Sequence, residues 1–499
     1  MSVLPVKLYS VAAIKAAERA YAEIHGSCYE LMLRAGKALA DAVHKVLKSD
    51  HEVWIFCGSG NNGGDGYVAG KILSECGIRV RLFAIAAAHE GSEAQRAYRE
   101  YISADLRVES SLPSLQQSRP RIIIDALLGT GITKEPGEKL STWISFINRA
   151  QAYVISADCP SGVNADTGEV PGDCVNADKT VCMLALKPGL FTSDAVDYVG
   201  TVEFADLSCD MNDFHDETSA VDVFSLSRYA YDEIKADLPV RLRSCNKGDN
   251  GRVLIIAGAQ GMGGAAVMAG CGALRAGAGL VKIATDPANV SALNASYPEL
   301  MTVDFNDDEV VKKALQWCDL VAIGPGLSQS PRAHALLDLV VDSGIDCVAD
   351  ADALTLLSKS EFCPQENRIL TPHPGEAARL LHCDCESINK NRLVAARRLQ
   401  QMYGGTVVLK GAGTVVCDRH GECLISDGSP ALACGGSGDL LTGIISALAA
   451  GGMSLRQAAI IGVCIHGKAG KMSADEHGPI GSLPTDLEMY IRRLVNGRV

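Results

Sequence analysis

The segment Gly435-Gly436-Ser437-Gly438-Asp439 runs straight into the apolar stretch Leu440-Leu441-Thr442-Gly443-Ile444. A helix beginning here exposes unpaired N–H groups and a partial positive charge, so it attracts phosphate-like anions. The glycines let such an anion approach the backbone. Asp439 is the odd member, because a carboxylate repels an anion. It makes sense as a base that takes a proton from a hydroxyl about to receive phosphate. Asp and Ser are also favoured helix caps, and on these residues alone both readings stand.

Other constellations carry comparable chemistry. Gly58-Ser59-Gly60-Asn61-Asn62-Gly63-Gly64-Asp65-Gly66 sets paired asparagines among glycines. It offers carbonyl oxygens and amide donors to a sugar-phosphate or a hard monovalent cation, or it is a glycine-rich turn with Asn in left-handed positions. It lacks the Gly-Lys-Ser/Thr ending of a phosphate loop and the spacing of a dinucleotide fingerprint. Asp125 and Asp158 each end an apolar run and lead into Gly/Ser/Thr loops. Lys410-Gly411-Ala412-Gly413-Thr414 looks like a nucleotide-cradling turn in which Lys410 can pair with phosphate. His373 stands between Pro372 and Pro374, which fix its backbone; it is either a ligand or an ordinary satisfied histidine.

The elements that must position these residues follow a βα rhythm. Residues 53–57, 80–84, 121–125, 153–158 and 199–204 are short apolar runs of the buried-strand type that parallel sheets require. Residues 10–48 have helical amphipathic spacing. After an acidic, weakly periodic stretch at 208–235 the pattern restarts. Strands are expected at 252–257, 280–284, 319–323, 347–349, 369–371 and 406–409, and three helical segments close the chain. The fold class is α/β: two domains, 1–220 and 221–499, each three-layer α/β/α with a mostly parallel sheet. Ligands in such folds gather beyond the strand C-termini, which places Asn62, Asp125 and Asp158 on one rim.

With 499 residues there is enough chain for such domains to bury their own cores. The net charge of −13 and the absence of a basic tract argue against binding nucleic acid or an anionic membrane through general charge. No run is long and apolar enough to span a bilayer, and charges interrupt any leader-like core near the start. The 18 cysteines are scattered, with Cys383-x-Cys385 as the close pair, which reads as a reduced, cytoplasmic protein without a zinc motif.

Taken in order, these motifs resemble a known family. Residues 61–66 and 125–131 and Asp158-Cys159-Pro160-Ser161-Gly162 are similar to the epimerase domain of NAD(P)H-hydrate repair proteins, which is Rossmann-like. Residues 258–266, Gly324-Pro325-Gly326, Asp350-Ala351-Asp352-Ala353-Leu354, residues 371–376, 410–414 and 435–439 resemble their dehydratase domain, which is ribokinase-like. The resemblance covers residues 10–495.

It implies that the first half interconverts the R and S hydrates of NADH and NADPH. The second half then dehydrates the S form to NAD(P)H at the expense of ADP, giving AMP and phosphate, with Mg2+ accompanying the nucleotide. In the epimerase half it assigns substrate contacts to Asn61, Asn62, Gly63, Gly64, Asp65, Gly129, Thr130, Gly131, Ile132, Thr133, Lys134, Glu135 and Asp158. Potassium goes to Asn62, Asp125 and Ser161, and Asp158 is the candidate acid/base. In the dehydratase half the hydrate contacts are Ala265, Gly326, His373 and Asp439, and the nucleotide contacts are Lys410, Gly411, Ala412, Gly413, Thr414 and Gly438. Asp439 is the expected base. A homo-oligomer is expected. The rival reading is a ribokinase-like small-molecule kinase with a non-catalytic binding module in front.

Overall fold

The computed structural model describes residues 4–47, 52–116, 119–214, 225–360 and 363–499. It divides into two compact units, Met1–Ser227 and Arg228–Val499. The boundary expected at 220/221 lies outside the described residues.

The first unit is layered by the two-residue period of its strands. Val53, Ile55 and Cys57 of the strand Glu52–Cys57 join one core with Leu39, Val43, Tyr67, Leu73 and Tyr101. Those partners come from the helices Tyr29–Val46, Asn61–Glu75 and Glu93–Ser103. Trp54 and Phe56 face the opposite way, onto Trp143, Ile144, Phe146 and Ile147 of the helix Glu138–Arg149. With both faces covered, the run has no polar side, which is why it reads as continuously apolar. The sheet order is Val108–Glu109, Arg79–Ala84, Glu52–Cys57, Ile122–Ala126, Tyr153–Ala157, Lys179–Met183, Thr201–Ala205, and all these pairings are parallel. The order reverses between Glu52–Cys57 and Ile122–Ala126. A crevice opens there at the strand C-termini, where residues 58–66 and 127–131 emerge.

The second unit repeats the plan with a mixed edge. Its strands run Gly421–Ile425, Thr414–Asp418, Thr406–Leu409, Arg368–Leu370, Cys347–Ala349, Leu320–Ile323, Arg252–Ile256, Leu280–Thr285, Met301–Asp304. Pairing is parallel from Thr406–Leu409 to Met301–Asp304 and antiparallel in the remainder. Val253 and Ile255 pack under the helices Gly263–Ala276, Ser437–Ala450 and Leu455–His477. The first two of these helices meet closely: Gly272 lies on the Leu440 carbonyl and Gly443 on the Ala269 carbonyl, leaving no room for a side chain. The switch in strand order falls between Arg252–Ile256 and Leu320–Ile323, so residues 258–266 and 324–326 meet over it. The strands Met301–Asp304 and Gly421–Ile425 are not signalled by apolar runs, because each carries polar residues such as Thr302, Asp304 and Glu422.

Candidate active sites

In the first unit the crevice is a cavity of about 400 Å³. Gly60 and Asn61 at the start of the helix Asn61–Glu75 line it, with Asn62, Asp65, Gly129, Thr130, Gly131 and Asp158. Gly63 and Gly64 lie beneath: a side chain at Gly63 would run into the Gly58 carbonyl, and one at Gly64 would come within 2.5 Å of Met32. Ile132 is buried, Thr133, Lys134 and Glu135 are exposed, and none of the four lines the cavity.

Asp158 was expected at a strand end. The strand stops at Ala157, and Asp158 turns to φ +63°, a strained conformation for a residue with a Cβ. That turn aims its carboxylate at the Met183 N–H (3.0 Å) and at the ammonium of Lys187, with which it forms an ion pair. Lys187 is buried, and it also donates to the Met183 carbonyl at 2.8 Å. Burial pulls its pKa down, but Asp158, with Cys182 and Cys159 adding to it, holds the ammonium above the ordinary lysine value. Burial, then Asp158 and Glu18, push the Asp65 carboxyl well above the carboxylate range, with Lys187 pulling the other way. Glu18 is raised by burial and then by Asp158. One cavity thus holds a lysine-paired Asp158 beside two carboxyls, Asp65 and Glu18, that burial and like charge raise above the ordinary range, the kind of separation that acid/base chemistry needs.

Asp125 is fully buried behind this cavity. Its oxygens accept hydrogen bonds from Ser161 Oγ (2.6 Å), Ser156 Oγ (2.8 Å), the Ser161 N–H (2.9 Å) and the Leu127 N–H (3.3 Å). All four partners are neutral, and burial still raises its carboxyl above the usual range. Asn62 Nδ2 donates to the Leu128 carbonyl at 2.7 Å, and Ser161 Oγ accepts from the Leu128 N–H at 2.8 Å. Asn62, Asp125 and Ser161 therefore come together around the Leu128 backbone. The set is oxygen-rich and includes a buried carboxyl whose hydrogen-bond partners are all neutral, which suits a hard monovalent cation.

In the second unit Asp439 sits in the first turn of the helix Ser437–Ala450. Lys410, at the end of the strand Thr406–Leu409, ion-pairs with Asp350 at 2.7 Å and lies 3.9 Å from Glu376. Burial depresses Lys410, but Asp350, Glu376 and Asp439 raise it overall. A Cβ on Gly438 would stand 3.2 Å from Lys410 Nζ, so the lysine packs against the start of the helix. Asp350 also accepts Thr442 Oγ at 2.8 Å. Burial would raise it, yet Lys410 and these hydrogen bonds hold it below the ordinary value. Asp439 has no such relief. Burial, then Asp350, with Glu376 and Asp352 adding to it and Lys410 opposing, push it up to about 7.

His373 caps the helix Pro374–Leu380: its Nδ1 accepts from the N–H groups of Gly375 (3.0 Å) and Glu376 (3.3 Å). Glu376 returns the contact to the His373 N–H at 2.8 Å. With Nδ1 an acceptor, Nε2 carries the proton and is a donor, and the side chain is 53% exposed. Glu376 links His373 to Lys410. On the other wall, Gly326 lies against Ala265 and Met262, and Asp352 accepts the Ser328 N–H at 2.7 Å. Gly411 and Thr414 close the loop through Thr414 Oγ and the Gly411 carbonyl, 3.1 Å apart.

Several residues that shape these sites carry little sequence signal. Glu18 looks like one more solvent-facing charge on the helix Val11–His25. Lys187 ends the apolar run Leu184-Ala185-Leu186 before Pro188, the one hint that its charge is buried. His466 lies in the middle of Leu455–His477 and is 6% exposed, with Nε2 3.2 Å from Ser437 Oγ. All 18 cysteines are free. Among the described residues no group of three or more His, Cys, Asp or Glu has the arrangement of a metal site, and no helix is long and apolar enough to cross a membrane.

Comparison with known proteins agrees with this division. Residues 253–493 match the NAD(P)H-hydrate dehydratase family model, and residues 28–189 match the model of the YjeF-related protein N-terminus. The bifunctional NAD(P)H-hydrate repair enzyme of Escherichia coli K12 is 40% identical over 97% of this chain and 93% of its own. The enzyme of that name from Coxiella burnetii is 39% identical over 98% and 99%, and that of Leishmania infantum 35% over 99% and 94%. A solved ribokinase-like superfamily protein from Enterococcus faecalis covers 54% of this chain and 95% of its own at 29% identity, with a TM-score of 0.51. Two domain models in this order, and relatives 35–40% identical over nearly the whole length of both chains, place the chain in the bifunctional NAD(P)H-hydrate repair enzyme family.

Proposed function

We propose that the second unit dehydrates the S hydrate of NADH or NADPH by phosphorylating it from ADP, and that the first unit supplies the S form by epimerising the R form. The observation that carries the dehydratase reading is Asp439: a carboxyl raised to about 7, one residue past a glycine start that presents helix N–H groups. A base of that pKa is matched to neutral pH. Asp439 takes the proton of the ring C6 hydroxyl as its oxygen attacks the terminal phosphoryl of ADP, and AMP leaves. Phosphate is a better leaving group than hydroxide, and its loss with a ring proton restores the dihydropyridine. His373 Nε2–H, Ala265 and Gly326 are the hydrate contacts in this reading, and Lys410, Gly411, Ala412, Gly413, Thr414 and Gly438 the nucleotide contacts. Asp350, Glu376, Asp352 and Asp439 outnumber Lys410, so the residues fit a nucleotide that arrives with Mg2+, which supplies charge neutralisation at the phosphates.

In the first unit Asp158, ion-paired to Lys187, is the candidate base, with Asp65 the raised acid beside it. Asn62, Asp125 and Ser161 would hold potassium, which supplies a fixed positive charge behind the cavity.

The test follows NADH absorbance when mixed R and S hydrates are given ADP or ATP separately. Return of NADH with release of inorganic phosphate is expected. A stable phosphorylated product would instead establish a kinase, and no return with either nucleotide would overturn the reading. Consumption of the S form alone would make the first unit a binding module.

A further inference from the structure

Arg392 opens the helix Arg392–Tyr403 and is 3% exposed. Among the described residues its one hydrogen bond runs from Nη2 to the Leu409 carbonyl, at 3.0 Å. Its Nε is buried with no partner. Burial pulls the guanidinium down to about 10, and no neighbouring carboxylate opposes that shift. A buried, unpaired cation is costly to a fold and is retained where something else meets its charge.

Its position says what that is. Leu409, which it holds, is the residue before Lys410. Gly411 adopts φ +147°, and a Cβ there would come within 2.7 Å of both Nη1 and Nη2 of Arg392. The missing side chain is what lets the guanidinium press directly on the backbone of the loop at 410–414. Lys410, the cation that sequence reasoning offers to phosphate, is already neutralised by Asp350 and faced by Glu376. The loop therefore carries one neutralised cation, Lys410, and has one un-neutralised cation, Arg392, packed against Gly411.

We propose that Arg392 is a positioning residue and counter-charge for the phosphates of a nucleoside di- or triphosphate on the loop 410–414, acting from under Gly411. This rests on the nucleotide reading of that loop. An Arg is suited to the task because it stays charged when buried, where a lysine is readily neutralised.

The experiment is calorimetric titration of the full chain with ADP and, up to millimolar concentration, with adenosine. Arg392→Met is expected to weaken ADP about tenfold and adenosine less than about twofold, since only ADP carries the charge that the guanidinium meets. Arg392→Lys, whose ammonium is readily neutralised when buried, is expected to recover only part of the ADP affinity. Equal losses for both probes, or unchanged ADP affinity, overturn the proposal. If circular dichroism shows that Arg392→Met is unfolded, Arg392→Gln, which keeps an N–H donor but removes the charge, carries the same comparison with the same criteria. A wild-type chain that binds neither ADP nor ATP fails at the nucleotide reading of the loop, which separates the two outcomes.

Discussion

Lys410 Nζ lies 2.7 Å from Asp350 Oδ1, and the pair stands against Gly438, one residue before Asp439. The lysine thus neutralises the carboxylate that is buried deepest and leaves Asp439 under the combined effect of burial and like charges. A fully opposed Asp439 would be ionised at all working pH values but a feeble base. The pairing keeps it near 7, where it is both available and basic.

The rate of dehydration should follow from this. With S hydrate and nucleotide, kcat/KM is expected to rise with pH through about 7 and level off above, as Asp439 loses its proton. Asp439→Asn should cost about 10²- to 10⁴-fold. Because Lys410 lowers the Asp439 pKa, Lys410→Met should move the rising limb to higher pH; a limb that stays in place would detach the base from this lysine.

Stability should show the opposite face of the same shift. The Asp439 carboxyl titrates near 3.8 when unfolded and about 7 when folded. Between those values the folded chain holds a proton that the unfolded chain has lost, so this group makes folding less favourable as pH rises from about 4 to 7. Asn carries no such proton. Asp439→Asn should therefore melt about 2–4 °C above wild type at pH 8 and converge with it near pH 4. Equal melting temperatures across that range would contradict the raised value.

The sheet layers and most loop positions were legible because they rest on local pattern. Val53, Ile55, Trp54 and Phe56 announce a strand buried on both faces, and glycines flanking Asn62 and Ser437 announce close backbone approach. What the pattern does not carry is pairing at a distance. Asp158 ends an apolar run and looks like the last residue of a strand, yet its left-handed turn toward Lys187 depends on a residue 29 positions away. Glu18 is drawn in from a helix whose other charges are solvated, and Arg392 looks like any helix-opening arginine until Gly411 is seen above it. Ile132, Thr133, Lys134 and Glu135 adjoin Gly131 in sequence, but the chain leaves the cavity after Gly131.

The Asp158–Lys187 pair makes a test that separates chemistry from folding. Asp158→Asn leaves a buried ammonium without its partner, at a cost of about 3–5 kcal/mol. Adding Lys187→Met removes that charge and should recover much of the melting temperature, the coupling expected of contacting residues. Exchange of R and S hydrates should stay down by about 10²-fold in both variants. If the double variant regains exchange along with stability, Asp158 was holding Lys187 in place rather than moving a proton.

The oxygen set around Asp125 predicts an ion effect that needs no substrate. A cation bound only by the folded state raises stability by mass action. The thermal transition of the first unit should lie higher in potassium chloride than in choline chloride of equal strength. Ser161→Ala should abolish most of that difference, because Ser161 Oγ touches Asp125 at 2.6 Å and lies within the set. The same transition in both salts for the wild-type chain would leave Asp125 satisfied by its hydroxyl and amide partners alone.

His466 provides the last test, since its ring meets Ser437, the first residue of the helix that carries Asp439. Burial, then Lys410, lower its pKa to about 4, so it is neutral at working pH and can share a hydrogen bond with Ser437 Oγ. An unfolded histidine protonates near 6.5, so the chain loses stability from this group as pH falls from about 6.5 to 4, the reverse of the Asp439 contribution in the same window. His466→Gln keeps a polar group for Ser437 but cannot take up the proton. It should retain most of the dehydration rate while losing less stability on acidification than wild type does. His466→Ala leaves the Ser437 hydroxyl unpartnered above a void. It should lower kcat about tenfold as the start of the helix loosens around Gly438 and Asp439, because small misplacements of reacting groups are expensive. Equal kcat in the Ala and Gln variants would show that Ser437 holds the helix start without His466.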